Sequence, residues 1–220
     1  MSPLTIVIAN KNYSSWSLRG WLFLRHTGAP FREIRIGLDE PQTRERILQH
    51  SPSGRVPALI DGDVTVWDSL AICEYLNEKF PECQGWPAES GARACARSVS
   101  AEMHSGFQAL RNEMPMNIRA RRIVTPSAAA KADIARVTAL WETTRARHGQ
   151  GGPWLFGRFS IADAMYAPVV FRFQTYGVAL GGAAAAYSRT LLAHPAVMEW
   201  AAAGQAETEV VPSDEAGTPA

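Results

Sequence analysis

The stretch Ser51 to Pro57, Ser-Pro-Ser-Gly-Arg-Val-Pro, runs directly into Ala-Leu-Ile-Asp-Gly and constrains this chain more than any other. Proline lacks a backbone donor and is the residue at which a cis peptide is readily reached. Here it stands between a loop and a short apolar run that ends at a turn. With Val56–Pro57 in the cis form, the N–H and C=O of Val56 point away from a sheet ladder and are free to pair with another peptide backbone. Eleven residues beyond Pro57, Asp68-Ser69 opens a helix-like segment. Together these features read as a cradle for a small acidic peptide.

The flanking pattern gives the cradle a frame. Leu4-Thr-Ile-Val-Ile-Ala9 is a short β-branched run and reads as a buried strand. Ser14 or Ser15 can cap a following helix with Leu18, Trp21, Leu22 and Leu24 on its apolar positions, ended by Gly28-Ala-Pro30. Residues 31–36 carry a mixed strand signal, and 41–49 a short polar helix. Asp61-Gly62-Asp63 between short apolar runs predicts a hairpin, and 68–80 a helix ended by Pro81. The order β-α-β-α-β-β-α requires one parallel pair with a crossover and one antiparallel hairpin, hence a mixed sheet with helices on its faces. Residues 82–91 form a linker. Beyond it strand signals nearly vanish, and helical windows run at 92–121, 127–148, 161–176 and 195–203. The expected organisation is an α/β unit over 1–81, an all-helical unit over 92–205 and a frayed or loosely docked tail over 206–220.

Bulk properties narrow the function classes. In 220 residues, 22 Lys and Arg oppose 21 Asp and Glu, so no broad nucleic-acid or membrane surface is expected. No apolar run approaches a membrane span, and the N-terminus has neither a charged leader nor a cleavage site. Cys73, Cys83 and Cys95 lack CxxC spacing and an even count, which suits a reducing cytoplasm rather than a disulfide framework. The five histidines are scattered, so no metal is expected.

The chemistry-bearing residues cluster at helix starts. Ser14 and Ser15 lie where free N–H groups favour an anion. A hydroxyl there can also donate to a thiolate and lower the thiol's pKa from about 8.5. A shift of ~2 units needs ~2.7 kcal/mol. One hydrogen bond to an ion supplies roughly 1.5–3 kcal/mol and the helix terminus up to ~1, so neither metal nor general base is required. Read alone, these serines are caps. In order with Val56-Pro57 and Asp68-Ser69, they become a thiol site. Asp68 and Ser69 also cap a helix; as a ligand site, Asp68 faces an ammonium while Ser69 and its N–H take a carboxylate. Arg55 is either a solvated loop charge or the partner of a second ligand carboxylate, with His50 a weaker choice. Gln108, Arg111 and Asn112 share a face at i, i+3, i+4, with His104 on the same face as Gln108. That face is either solvated surface or the wall that holds a co-substrate. Met103, Phe107, Leu110 and Met114 form an apolar core stripe. Ser160-Ile-Ala-Asp163 is a capping box, a folding element.

Taken together, the Ser-rich helix start, Val56-Pro57, Asp68-Ser69 and the Ser160–Asp163 box resemble the cytosolic glutathione transferase superfamily over nearly the whole chain. Ser14-Ser15-Trp16-Ser17-Leu18-Arg19 is most similar to the serine-type classes, above all zeta. The resemblance implies a thioredoxin-like first domain, a helical second domain and a homodimer. It makes glutathione the co-substrate and Ser14 the hydroxyl that activates its thiol for attack on a small electrophile. Ser15 would bind beside it as the alternative activator, Arg19 would steady the site, Val56 beside Pro57 would bond the cysteinyl backbone, and Asp68 and Ser69 would hold the γ-glutamyl end. Gln108 and Asn112 become ligand contacts. The chain departs from the zeta-class maleylacetoacetate isomerases at Trp16, where they carry cysteine. Rival readings are a glutathione-dependent isomerase, peroxidase or dehalogenase, and a glutathione-binding scaffold without catalysis.

Overall fold

The computed structural model describes residues 3–220. Leu4–Ile8 (β1), Phe31–Arg35 (β2), Ala58–Asp61 (β3) and Val64–Trp67 (β4) form one sheet in the order β2-β1-β3-β4. β1 runs parallel to β2 and antiparallel to β3, which pairs antiparallel with β4. The parallel pair needs a crossover, and the helix Ser15–His26 (α1) supplies it. Alternation along β1 sends Leu4, Ile6 and Ile8 into the main core with α1 and the helix Ser69–Lys79 (α3). Val7 points to the other face, where Ile36, Ile47 and Ala58 form a small cluster under the helix Thr43–Leu48 (α2). The β3–β4 turn places Gly62 first in a two-residue loop, with φ of 60°, the sign such hairpins require there.

Six helices follow: Ser90–Ser105 (α4), Gln108–Glu113 (α5), Ala128–His148 (α6), Ile161–Thr175 (α7), Gly182–Leu192 (α8) and Pro195–Ala206 (α9). α7 is buried on nearly every side, as expected of a helix apolar all round, and packs against α1, α4 and α8. Its start is the capping box read from the sequence. The Asp163 carboxylate accepts from the Ser160 backbone N–H and hydroxyl, each at 2.8 Å, and from the Leu155 N–H at 3.2 Å. The contact of α7 with α1 joins the sheet unit to the helical unit, so α7 fixes what lies beneath the start of α1.

Three expectations are corrected. The window 92–121 is not one helix: α4 ends at Gly106, and Phe107 takes φ of 60° to enter the core. A Cβ on Gly106 would meet the Glu102 carbonyl at 2.8 Å, so glycine is required at this break. His104 therefore stands on α4, while Gln108, Arg111 and Asn112 stand on α5. Residues 182–192, outside the helical windows read from the sequence, form a full helix, α8, with Ala184, Tyr187, Ser188 and Leu191 buried at i, i+3, i+4, i+7. The tail 206–220 is fastened to the body because its acidic side chains find donors. Glu207 accepts from the backbone N–H groups of Lys11 (2.8 Å) and Asn12 (2.9 Å), and Glu209 from Arg35 at 2.6 Å. Glu215 accepts from the Tyr13 hydroxyl at 2.6 Å and from Asn117 at 2.9 Å, and pairs with Arg122. Thr218–Pro219 (β6) then pairs with Arg122–Ile123 (β5) in a second small sheet.

Candidate active site

A cleft of about 950 Å³ opens between the loops of the sheet unit and helices α4 and α5. On its sheet-side wall lie Ser14, Ser15, Arg55, Val56, Pro57, Asp68 and Ser69. His104, Gln108, Arg111 and Asn112 line the opposite wall. Every site residue proposed from the sequence thus meets in one place except the weaker candidate His50, which does not line the cleft, and Arg19. That residue lies buried below the cleft, with Nε donating to the Met165 carbonyl at 3.1 Å and its guanidinium 4.5 Å from the Trp16 ring. It supports the wall rather than facing a ligand.

The first anchor is the backbone at Val56. The Val56–Pro57 bond is cis. The ladder of β3 begins one residue later, at Ala58, and neither the N–H nor the C=O of Val56 has a hydrogen-bond partner among the described residues. Arg55 stands exposed at the rim, with no ion-pair partner among the described residues.

The second anchor is the start of α3. Asp68 is its cap, with Oδ1 accepting from the N–H groups of Leu70 (2.9 Å) and Ala71 (3.3 Å). Asp68 adopts φ of 76°, a sign uncommon outside glycine. Beside it, the Ser69 hydroxyl oxygen is buried and has no partner among the described residues. A buried hydroxyl is normally hydrogen-bonded, so an unpartnered one at a helix N-terminus is suited to a ligand oxygen.

The third anchor is the start of α1. Ser14 is its cap; its oxygen accepts from the Ser17 N–H at 3.4 Å and its hydroxyl donates to Ser17 Oγ at 2.8 Å. Ser17 Oγ also accepts from the Ala9 N–H at 3.1 Å, so it keeps a partner if Ser14 turns away. The Ser15 oxygen accepts from Arg172 Nη2 at 3.2 Å.

Arg172 and Asp214 were not found from the sequence. A lone arginine inside the apolar run of α7 is a usable signal for the first; Asp214 sits in the tail that was expected to fray. Arg172 is buried, with Nη1 donating to the carbonyls of Met114 (2.5 Å) and Arg111 (3.2 Å). Burial first, then the charge of Arg111, pulls its pKa down to about 10, so it stays cationic at neutral pH. Burial and the same neighbouring guanidiniums lower Arg19, and burial lowers Arg111. The Arg111 guanidinium lies 4.9 Å from the Trp16 ring. The three arginines make the cleft floor positive. Asp214 faces them from the tail, its carboxyl pushed up by burial and held down by Arg172. Such a floor favours an anion above it, a thiolate included.

Cysteine chemistry has no foothold here. Cys73 is buried in the core and burial pushes its thiol well up. Among the described residues no group of three or more His, Cys, Asp or Glu is placed to hold a metal ion, and no helix is long and apolar enough to cross a membrane.

Residues 13–79 match the family model for the glutathione S-transferase N-terminal domain, and residues 103–203 that for the C-terminal domain. The chain belongs to the glutathione S-transferase family. A dichloromethane dehalogenase of Methylorubrum extorquens is 39% identical over 66 residues, which span 29% of this chain but only 23% of that protein. A zeta-class glutathione S-transferase of Euphorbia esula is 28% identical over 161 residues, 72% of this chain and 68% of that one. A solved glutathione transferase homologue from Burkholderia, with bound glutathione, superposes with a TM-score of 0.72 at 22% identity, covering 94% of this transferase-family chain and all of the other. At that identity the superposition speaks to the fold.

Proposed function

We propose that this protein is a glutathione transferase that binds glutathione against residues of its first unit, 1–81, and ionises the thiol through Ser14. The observation that carries the reading is one wall of the cleft, where the unpaired Val56 backbone groups and the unpartnered buried Ser69 hydroxyl stand beside the Ser14 cap of α1. Their chemistry complements a tripeptide with a γ-glutamyl end. Val56 would pair with the cysteinyl backbone, which sets the sulfur toward Ser14. Ser69 and its N–H would take the γ-glutamyl carboxylate, Asp68 the ammonium on the same carbon, and Arg55 the glycyl carboxylate.

Thiol activation needs only a turn of one hydroxyl. Ser14 O–H would leave Ser17 Oγ, a neutral bond worth about 0.5–1.5 kcal/mol, for the sulfur anion, worth roughly 1.5–3. The exchange favours the thiolate, and the Arg172 charge behind Ser15 adds to it. The electrophile would sit against α5, where Gln108, Arg111 and Asn112 line the cleft. Holding both reactants together makes an encounter a positioned reaction. A homodimer is the expected assembly.

Calorimetric titration with glutathione, paired with conjugation assays on chloroaromatic electrophiles, tests the reading. Saturable binding with turnover supports it. Binding without turnover on any electrophile of a broad panel, with a bound thiol that titrates as the free one does, makes the protein a scaffold instead.

A further inference from the structure

The oxygen of Asp68 that faces the cleft already has a partner. Oδ1 is engaged in capping α3, and Oδ2 lies 3.2 Å from His104 Nε2. His104 projects from the last turn of α4, edge-on to Trp16 with ring centroids 5.3 Å apart. Its Nδ1 is buried without a partner among the described residues. The imidazole is therefore aimed at Asp68 by packing, with Asp68 as its one polar contact among the described residues. Three charged side chains face it: Asp68 from the start of α3, Arg19 from α1 and Arg111 from α5. Burial is the largest influence and lowers its pKa, the two arginines add to that, and Asp68 opposes them.

Resting on the glutathione reading above, we propose that His104 is an internal occupant of the γ-glutamyl subsite: its imidazole holds the Asp68 oxygen that the ligand ammonium requires, so that protonation of His104 and binding of the ammonium oppose each other. A neutral imidazole can yield Oδ2 or share it. An imidazolium brings a second positive charge to the same carboxylate, and like charges at that range disfavour one another. The opposition is reciprocal: the factor by which a proton on His104 weakens ligand binding is the factor by which the ligand weakens proton binding. The sign follows from burial. His104 is neutral at pH 7, where binding is strongest, and affinity falls as pH falls through its lowered pKa. A ligand without the amine meets no such opposition, so His104 makes the site read the ammonium as well as the carboxylate.

The test is calorimetric titration from about pH 7.5 to pH 5, with wild type and His104→Asn. The probe is S-methylglutathione, which has no thiol to ionise and brings the same carboxylates to both proteins. Wild type should lose about five- to tenfold more affinity than His104→Asn over that range. With glutaryl-cysteinylglycine, which lacks the amine, that excess loss should vanish. In the wild-type protein the His104 imidazole resonance should titrate at lower pH with S-methylglutathione bound than without it, a measurement that decides the matter alone if the variant does not fold. Parallel pH profiles, or an imidazole titration unmoved by the ligand, overturn the role of His104 and leave the glutathione site standing. Failure of S-methylglutathione to bind at any pH overturns the site itself and this role with it.

Discussion

Arg172 and Ser15 stand 157 residues apart in sequence and meet in a hydrogen bond of 3.2 Å, guanidinium to hydroxyl oxygen. The bond passes from the most buried helix to the first turn of α1. It engages Ser15 as an acceptor and sets a cation, in no ion pair among the described residues and opposed only by the charge of Asp214, beneath the proposed sulfur position. Arg172→Met should therefore act twice. Removing the guanidinium leaves the Met114 and Arg111 carbonyls without this donor, so urea denaturation should show a loss of about 2–4 kcal/mol. The thiol of bound glutathione should also titrate higher than in wild type. A loss of stability with the thiol unmoved would make Arg172 a structural residue only.

Asp68 performs two tasks that a pair of substitutions separates. Asp68→Asn keeps the short side chain and the cap on Leu70 and Ala71, and Asn tolerates positive φ, so stability should change by less than about 1 kcal/mol. It removes the charge, and glutathione affinity should fall about tenfold, the weight of one charged hydrogen bond. Asp68→Ala loses the cap as well and should cost about 1 kcal/mol more in stability. Titration calorimetry that finds Asn and wild type equal in affinity removes Asp68 from the ligand site.

Glu207 couples the tail to the loop that leads into Ser14. Its carboxylate holds the Lys11 and Asn12 N–H groups, and Glu207→Ala leaves both without it. Denaturation should register a loss of about 1–3 kcal/mol. Hydrogen exchange should speed up at residues 11–13 and across the β5–β6 pair. Unchanged exchange in the β5–β6 pair would mean that the tail is held by Glu209 and Glu215 alone.

Asp163 should give the fold a pH dependence of its own. Burial pushes its carboxyl up to about 6 despite the donors from Leu155 and Ser160. A carboxyl raised in the native state binds its proton more tightly there than in the unfolded chain, where the value is about 3.9. Its contribution is thus greatest below about pH 4 and is lost as pH rises through about 6. The stability of wild type relative to Asp163→Asn should fall by about 2–3 kcal/mol between pH 4 and pH 7. A difference that is flat with pH, or that grows, contradicts a raised carboxyl.

Local chemistry made much of this legible in the sequence, and distance hid the rest. Ser14, Asp68 and Ser160 announce helix starts because a cap acts on residues two and three places ahead. Asp61-Gly62 announces a hairpin for the same reason. The break at Gly106-Phe107 was missed because helical spacing continues through it, and only the Glu102 carbonyl shows why the chain must turn there. Arg172 and Asp214 were missed because their meaning lies in partners far along the chain, which no local pattern records. The acidic tail read as unfastened since the long-range hydrogen-bond partners of its carboxylates are 98 to 202 residues away, from Asn117 back to Tyr13.

The state of the sulfur bears most directly on the role of Ser14. Glutathione should be titrated while bound, with thiolate absorbance followed in the ultraviolet, in wild type and in Ser14→Ala. Wild type should hold the thiol ~2 units below its free value of about 8.5. The variant should return most of that shift, keep its affinity for glutathione within about threefold, and lose about 10- to 100-fold in turnover at neutral pH. A wild-type complex whose thiol titrates near 8.5, or a variant that keeps the full depression, contradicts the assignment.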